Sequence, residues 1–284
     1  MENPMFSIRR YLHTCALAAA VWLTAACGNE APATPSAPAA AAGDSGEEKP
    51  TYVVITQSSH PPFSIRNSDG SMSGLDVELL QAVAQAEGFK LQVMPHNLSG
   101  MLDILQSGHA DIATGIQITP EHQNTFIFSQ PYLESGYGFL LPSSKKISNV
   151  NELQGKVLAV TSGGTVEKQL RSTNITDKIL PTATLYLGLK EVKQDNAAAV
   201  YGTEAALKPY LQQNPDFVFI PDEKSGQIQF AFALEQRGAP LRGKINDGLN
   251  TLRANGMYQK IINKWLHSAH SVNASASSHS SAPH

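Results

Sequence analysis

The fold is decided by residues 51–94, which read TYVVITQSSHPPFSIRNSDGSMSGLDVELLQAVAQAEGFKLQVM. The β-branched run at 52–55 predicts a strand. Apolar residues at helical spacing from Leu75 onward predict a helix, and Gly88 is a typical C-terminal stop for it. Residues 90–94 predict the next strand. A strand, a helix and a second strand in this order indicate an α/β protein.

The same alternation of strand and helix patterns continues beyond this stretch. Strand patterns occur at 111–118, 138–141, 157–160 and 229–234, and helical patterns occur at 101–106, 165–171 and 245–265. Such alternation predicts an α/β fold with a largely parallel sheet in each half of the chain. The chain leaves the first half near Pro142 and later returns to it. We therefore expect two strand crossings, two lobes (residues 51–139 with 230–266, and residues 140–229) and a ligand cleft between them.

Composition restricts the class of protein further. The chain has 284 residues, of which 42% are hydrophobic, and a formal net charge of -3. This is enough apolar material for a packed core, and it provides no basic field that would hold a nucleic acid. Cys15 and Cys27 are its two cysteines. The rest of the chain therefore has neither an internal disulfide nor a cysteine metal cluster.

The first residues predict export and lipidation. Residues 1–26 combine a basic start with an apolar run that is too short to span a membrane, as in a cleavable signal peptide. Its end, LTAAC, resembles the lipobox of bacterial lipoproteins, which implies lipid attachment at Cys27. An ordinary signal peptide with an incidental cysteine is the alternative. Residues 27–50 are rich in Ala and Pro and predict a tether, and residues 267–284 predict a disordered tail.

Seven short motifs follow one another along the folded part. They are PPF (61–63), GLD (74–76), LQSG (105–108) with Asp111, ITPE (118–121), FSQPY (128–132), LQGKV (153–157) and an ending GMY (256–258) to KW (264–265). With these motifs, residues 51–266 resemble the bacterial solute-binding proteins of the polar amino-acid type, the family-three receptors of ABC importers. The resemblance implies the two-lobed, type 2 periplasmic-binding fold. It also implies that Phe63, Tyr132 and Trp265 are scaffold residues.

The resemblance indicates where the two charged anchors of the ligand would lie. The arginine that grips the ligand α-carboxylate in family members is here His122, whose imidazole cannot form a bidentate fork. The aspartate that pairs with the ligand ammonium is here replaced by Tyr201. Because both groups are neutral at pH 7, an ordinary zwitterionic amino acid would lose hydration without gaining ion pairs. We therefore expect a pocket that has changed its preference away from a standard zwitterionic α-amino acid.

The other ligand positions are also polar or small. His60 stands at the position of the family's stacking aromatic, and Leu98 stands where phenylalanine is frequent. Gln57 occupies a position at which glutamine receptors carry an acidic contact, and Gln117 occupies one that usually holds a hydroxyl. These side chains favour a less charged or larger solute than a standard amino acid.

A generic cradle remains beside these positions. It consists of the backbone at Gly115 and Gln117, the side chain of Thr161, and the N–H groups of residues 162–165. Thr165 opens the helix that follows, and helix starts attract anions through their free N–H groups. An ordinary strand-to-helix turn without a ligand is the alternative.

These observations predict a lipid-anchored, extracytoplasmic solute-binding protein that works with an ABC permease. The alternative is an interaction lipoprotein that kept the scaffold and acts on another envelope protein. An enzyme is not expected, because the pairs Glu121 with His122 and His109 with Asp111 diverge along the backbone. No cofactor is implied, and the histidines of the tail are not expected to form a metal site. Localisation is the bacterial envelope, facing the periplasm or at the outer membrane.

Overall fold

The structure is a computed structural model that describes residues 48–212 and 214–267. The predicted signal peptide, the predicted lipidation site Cys27, the predicted tether up to residue 47 and the predicted tail beyond His267 lie outside the described residues. Within the described ranges, no helix is long and apolar enough to cross a membrane.

The described residues form fourteen strands and eight α-helices. The strands are β1 (Thr51–Gln57), β2 (Ser59–His60), β3 (Ser64–Arg66), β4 (Met72–Ser73), β5 (Lys90–His96), β6 (Ile112–Gln117), β7 (Ile127–Phe128), β8 (Leu133–Ser135), β9 (Tyr137–Pro142), β10 (Leu158–Thr161), β11 (Ile179–Thr182), β12 (Ala199–Thr203), β13 (Phe217–Pro221) and β14 (Ile228–Leu234). The helices are α1 (Leu75–Glu87), α2 (Met101–Gln106), α3 (Pro120–Gln123), α4 (Thr165–Ser172), α5 (Leu185–Lys193), α6 (Glu204–Leu211), α7 (Ala239–Ala254) and α8 (Met257–Ile262).

The first large sheet contains the opening strand–helix–strand unit. Its order is β5-β1-β6-β14-β7, and β8 also pairs with β14. Strand β1 is parallel to β5 and β6, whereas β14 is antiparallel to β6, β7 and β8. The predicted parallel pairing is therefore right for β5, β1 and β6 and wrong for β14. That strand returns from the other sheet and enters without the crossover helix that a parallel pair needs.

The second large sheet has the order β11-β10-β12-β9-β13. Strands β10, β11 and β12 are parallel, and β9 is antiparallel to its neighbours β12 and β13. The chain thus builds two large sheets and crosses between them twice, which confirms the two-lobed α/β fold. Strands β2, β3 and β4 form a small third sheet. Strand β9 pairs within the second sheet and β14 within the first, so we propose lobe borders at Gly136 and between β13 and β14 instead of 139/140 and 229/230.

Helix α1 forms as its pattern predicts. Its apolar face is buried, and it ends where Gly88 adopts a left-handed φ of 71° and donates its N–H to the carbonyl of Ala84. The C-terminal helical pattern is interrupted, which corrects the prediction of a single helix. Gly256 has a φ of 78°, so α7 ends and α8 begins there.

The predicted scaffold residues are buried in the core of the described chain. Phe63, Tyr132 and Trp265 are 0%, 1% and 7% exposed. Phe63 stacks on Phe230 with ring centroids 5.0 Å apart, and Tyr132 stacks on Phe232 at 4.6 Å. These aromatic pairs attach the loops beside the cleft to β14 and explain why the motifs that contain them report on fold.

Candidate functional site

A cavity of about 330 Å³ lies between the two large sheets. Side chains from the ends of β1, β6, β10 and β12 line it, together with the first turns of α3 and α4. Ligands of open α/β sheets bind beyond the carboxyl ends of parallel strands, which is where this cavity lies. All nine predicted ligand residues line it: Gln57, His60, Leu98, Gly115, Gln117, His122, Thr161, Thr165 and Tyr201. Their contact with a solute stays a prediction.

Gln57 and His60 form one wall of the cavity as a fixed pair. Gln57 Nε2 lies 3.0 Å from His60 Nδ1. An amide nitrogen only donates, so Nδ1 accepts and the ring proton lies on Nε2. Burial lowers the pKa of His60 to about 4, which keeps the ring neutral at pH 7. His60 also packs on Phe63, with centroids 4.8 Å apart. His60 is therefore a rigid, neutral residue whose free nitrogen is a donor.

His122 presents a single atom where an arginine would present a fork. Its backbone N–H donates to Thr119 Oγ1, which caps α3, and its Nδ1 lies 2.9 Å from the carbonyl oxygen of Gln117. A carbonyl only accepts, so Nδ1 carries a proton. Nε2 is consequently an acceptor in the neutral ring and a donor in the charged ring. A carboxylate can bind to this atom only when the imidazole is protonated.

The glycine turn before α4 offers fewer donors than predicted. Ser162 donates its N–H to the carbonyl of Thr182, and Gly163 donates to Glu167 Oε2 at 2.8 Å. The side chain of Glu167 reaches back to the start of its own helix, where the helix dipole favours a carboxylate. The Gly163 hydrogen bond and the Arg171 side chain hold the pKa of Glu167 below its usual value. Two N–H groups, those of Gly164 and Thr165, remain as candidate anion donors.

Tyr201, a predicted ligand contact, has a partner for its hydroxyl within the protein. Its ring lines the cavity but is 1% exposed, and it stacks parallel to Tyr137 with centroids 5.8 Å apart. Its hydroxyl donates to Asp222 Oδ2 at 3.0 Å, and Ser225 donates to the same oxygen. The hydroxyl is therefore engaged with a partner twenty-one residues further along the chain, a pairing that only the tertiary structure creates.

Thr203 is the polar residue of β12 that the sequence analysis missed. It lines the cavity, is 2% exposed and precedes α6 as its N-cap residue, with no hydrogen bond from its side chain to the helix. Strand alternation places Thr203 on the same face as Tyr201, two residues earlier, so the signal was present in the sequence. The Thr203 hydroxyl is therefore a further candidate contact for a solute.

Two contacts join the lobes across the cavity. A Cβ atom on Gly164 would lie 2.8 Å from Leu98 Cδ2, so the leucine packs directly on the start of α4. Lys168 Nζ on α4 lies 2.7 Å from Glu121 Oε2 on α3. The lysine hydrogen bond and charge lower the pKa of Glu121. The described structure is thus a closed form of the cleft on this side.

A buried carboxylate lies behind the cavity wall. Asp76 is 0% exposed, and its Oδ1 accepts a hydrogen bond of 2.8 Å from the hydroxyl of Tyr132. Burial raises the pKa of Asp76 to about 7, and the Tyr132 hydroxyl, the Gly115 N–H and the Thr114 hydroxyl oppose that rise. Oδ2 has no well-formed hydrogen bond among the described residues. The described ranges contain no group of three or more His, Cys, Asp or Glu side chains that would hold a metal ion.

These features are those of a two-lobed protein with a ligand-sized cavity between its two large sheets. The family model for bacterial extracellular solute-binding proteins, family 3, matches residues 52–268, and the chain belongs to this family.

Individual relatives agree with this assignment. The chain is 30% identical over 261 residues to a probable histidine-binding protein of Neisseria gonorrhoeae, covering 88% of this chain and 93% of that protein. The solved arginine-, lysine-, histidine-binding protein ArtJ from Geobacillus stearothermophilus is similar with a TM-score of 0.71, at 25% identity over 77% of this chain and 96% of its own. An ancestral amino acid-binding protein, AncCDT-1, a precursor of cyclohexadienyl dehydratase, has a TM-score of 0.70 at 26% identity, over 76% and 95% of the two chains.

Proposed function

We propose that the protein captures a small amino-acid-type solute in the cleft and delivers it to an ABC permease. The observation that carries this proposal is the cavity of about 330 Å³ between two sheets, whose wall contains every predicted ligand position. That volume suits a ligand of amino-acid size. The relatives named for binding histidine, or arginine, lysine and histidine, support the same class of solute.

We further propose that the pocket has diverged from one that grips a standard zwitterion. His122 offers one nitrogen, and the Tyr201 hydroxyl is held by Asp222. Among the lining residues, the Glu121 carboxylate is paired with Lys168. A solute that depends on two ion pairs therefore finds neither of its partners free on the cavity wall.

Changing His122→Arg is expected to increase the affinity for common α-amino acids by at least about 30-fold, because a bidentate charge-assisted contact is worth roughly 2–4 kcal/mol. Adding Thr203→Asp, which supplies a partner for the ammonium, should increase it more than either single change. Calorimetric titration measures the effect. His109→Arg, at an exposed position, is the matched control and should change nothing. Micromolar or tighter binding of a common α-amino acid by the unaltered protein would show that His122 does not weaken the pocket.

We propose that the protein is anchored to the envelope through a lipid on Cys27. Lipidation requires a thiol at the cleavage point, and Cys15 lies within the predicted apolar segment. Cys27→Ala should move the protein from the membrane fraction to the soluble fraction, whereas Cys15→Ala should leave it membrane-bound. Fractionation of cells that express each variant decides between these outcomes. Membrane retention of a correctly processed Cys27→Ala protein contradicts the proposal.

A binding role is favoured over the two alternatives. An interaction lipoprotein that works through its surface does not need a polar cavity, and this chain has kept one. An acid–base role for Glu121 and His122 is disfavoured, because Glu121 is bound to Lys168 and His122 Nδ1 to a backbone carbonyl. We therefore propose that the protein is not an enzyme.

A further inference from the structure

The charges on the cavity wall leave a positive solute group without a visible partner. Glu121 is the acidic residue among those that line the cavity in the described chain, and its carboxylate is paired with Lys168 at the rim. His60 is held neutral by burial, and Gln57 carries no charge. A cationic group that enters this end of the cleft would therefore lose hydration without gaining an ion pair from the surface.

Asp76 supplies a negative charge directly behind this wall. Gly115, which lines the cavity with a φ of 69°, has no side chain to separate the two. A Cβ atom there would lie 3.3 Å from Asp76 Oδ2, 3.7 Å from Gln57 Nε2 and 3.8 Å from His60 Nδ1. The carboxylate oxygen, which lacks a well-formed hydrogen bond, is the nearest of the three atoms, whereas the amide nitrogen and the ring nitrogen are bonded to each other.

We propose that Asp76 is the counter-charge for a cationic side-chain group of the solute, distinct from its α-ammonium, which is seated over Gly115. This inference rests on the proposed function and names the charge of the solute. Asp76 itself has no solvent exposure, so it acts on the solute by attraction across Gly115. Such attraction is strong because the surroundings are desolvated.

Among the described residues, the titratable groups that face Asp76 do not compete for this role. The titratable groups that face it are His60 from β2, which is neutral, and Tyr132 before β8, whose hydroxyl donates to Oδ1. The side chains of β1 and β6 that face it are uncharged. Glu78, two residues further on α1, is paired with Lys264 at 2.8 Å. Asp76 is therefore the negatively charged group that would attract a cationic solute.

Binding of a cation should also release a proton. Burial raises the pKa of Asp76 to about 7, so the carboxyl is partly protonated at neutral pH. A positive charge nearby favours the ionised form and lowers that pKa. The solute therefore displaces protons from Asp76, and the number displaced should be largest slightly below pH 7 and small at pH 9.

Three ligands that differ by one charged group test the proposal: lysine, norleucine (lysine without its side-chain ammonium) and cadaverine (lysine without its carboxylate). Each is titrated into the full chain and into the His122→Arg background. Lysine should bind more tightly than norleucine. Relative to lysine, cadaverine should show a smaller loss of affinity than norleucine. Asp76→Asn should lower the affinity for lysine and cadaverine by about 10- to 100-fold and leave the affinity for norleucine unchanged. Titrations in two buffers of different ionisation heat measure the released protons.

Glu87→Gln is the matched control, because it removes one negative charge from the far end of the same helix, about 16 Å away by helical rise. This control variant should bind all three ligands with the affinity of the unaltered protein. Equal weakening of all three ligands by Asp76→Asn would reveal a structural role and overturn the subsite. Lysine binding no better than norleucine would overturn it as well, while leaving the proposed function intact. Failure of every amino acid to bind in both backgrounds would overturn the proposed function itself.

Discussion

Replacing Asp76 by asparagine is expected to make the protein more stable at pH 8 and to flatten the dependence of its stability on pH. In the folded protein burial raises the pKa of Asp76 to about 7, from an ordinary value of 3.8. Below the ordinary value both states are protonated and there is no penalty. Between the two values the unfolded chain releases a proton that the folded protein keeps, so stability falls as pH rises. Above pH 7 the penalty is complete, at about 4 kcal/mol as an upper limit.

Urea unfolding at pH 5 and pH 8 measures this effect in the ligand-free protein. Asp69→Asn is the control of opposite sign, because hydrogen bonds from Ser71 lower the pKa of that exposed carboxyl. Its replacement should not stabilise the protein at pH 8. The prediction is contradicted if the free energy of unfolding changes equally between pH 5 and pH 8 in the unaltered protein and in the Asp76→Asn variant. Asp76 would then be ionised throughout this range.

Replacing Gly74 by alanine is expected to prevent folding. Gly74 has φ 122° and ψ 169°, a conformation that essentially only glycine adopts. A Cβ atom there would lie 2.2 Å from the carbonyl oxygen of Phe63, 2.6 Å from its carbonyl carbon and 2.8 Å from Ser64 Cα. These are backbone atoms at the start of β3, and the carbonyl of Phe63 accepts the N–H of Asp76. A side chain there would separate α1 from the loop beside the cleft, at a cost above about 4 kcal/mol.

Gly70→Ala is the matched control for this change. Gly70 also has a positive φ, of 85°, but nothing lies within 4 Å of the position of its Cβ. Its replacement should therefore cost roughly 1–2 kcal/mol from backbone strain alone. Soluble yield and the urea midpoint of the two variants separate steric overlap from strain. Equal stability of Gly74→Ala and Gly70→Ala would show that the contact with Phe63 does not hold the start of α1.

Local pattern was sufficient for the elements whose stability comes from one buried face. The helical pattern at 101–106 coincides with α2, and α1 extends from Leu75 to just before Gly88 as predicted. The ends of strands β1, β5 and β10 lie within two residues of their predicted positions. In these segments the apolar spacing and the glycine stops lie within a single stretch of chain, so no distant residue is needed to interpret them.

The remaining features depend on partners that are distant in the sequence. The antiparallel entry of β14 follows from the return of the chain from the second sheet, which no local pattern encodes. The hydroxyl of Tyr201 is held by Asp222, and Gly163 is bonded to Glu167. The unpaired oxygen of Asp76 follows from the packing of α1 beneath β6. Sequence therefore predicted which residues meet at the cleft, and tertiary packing decided which of their polar atoms remain free.

The central claim is that the cleft between the two sheets binds an amino-acid-type solute. The most direct measurement is calorimetric titration of the full chain with the common amino acids and cadaverine. The titration is repeated with the Thr161→Trp variant, in which the new side chain fills the cavity from the end of β10. Thr51→Trp, at an exposed position, is the control. We expect one-to-one binding of at least one cationic member, retained in Thr51→Trp and lost in Thr161→Trp. Binding that survives the Thr161→Trp change, or no binding by any member to either the unaltered protein or His122→Arg, would contradict it.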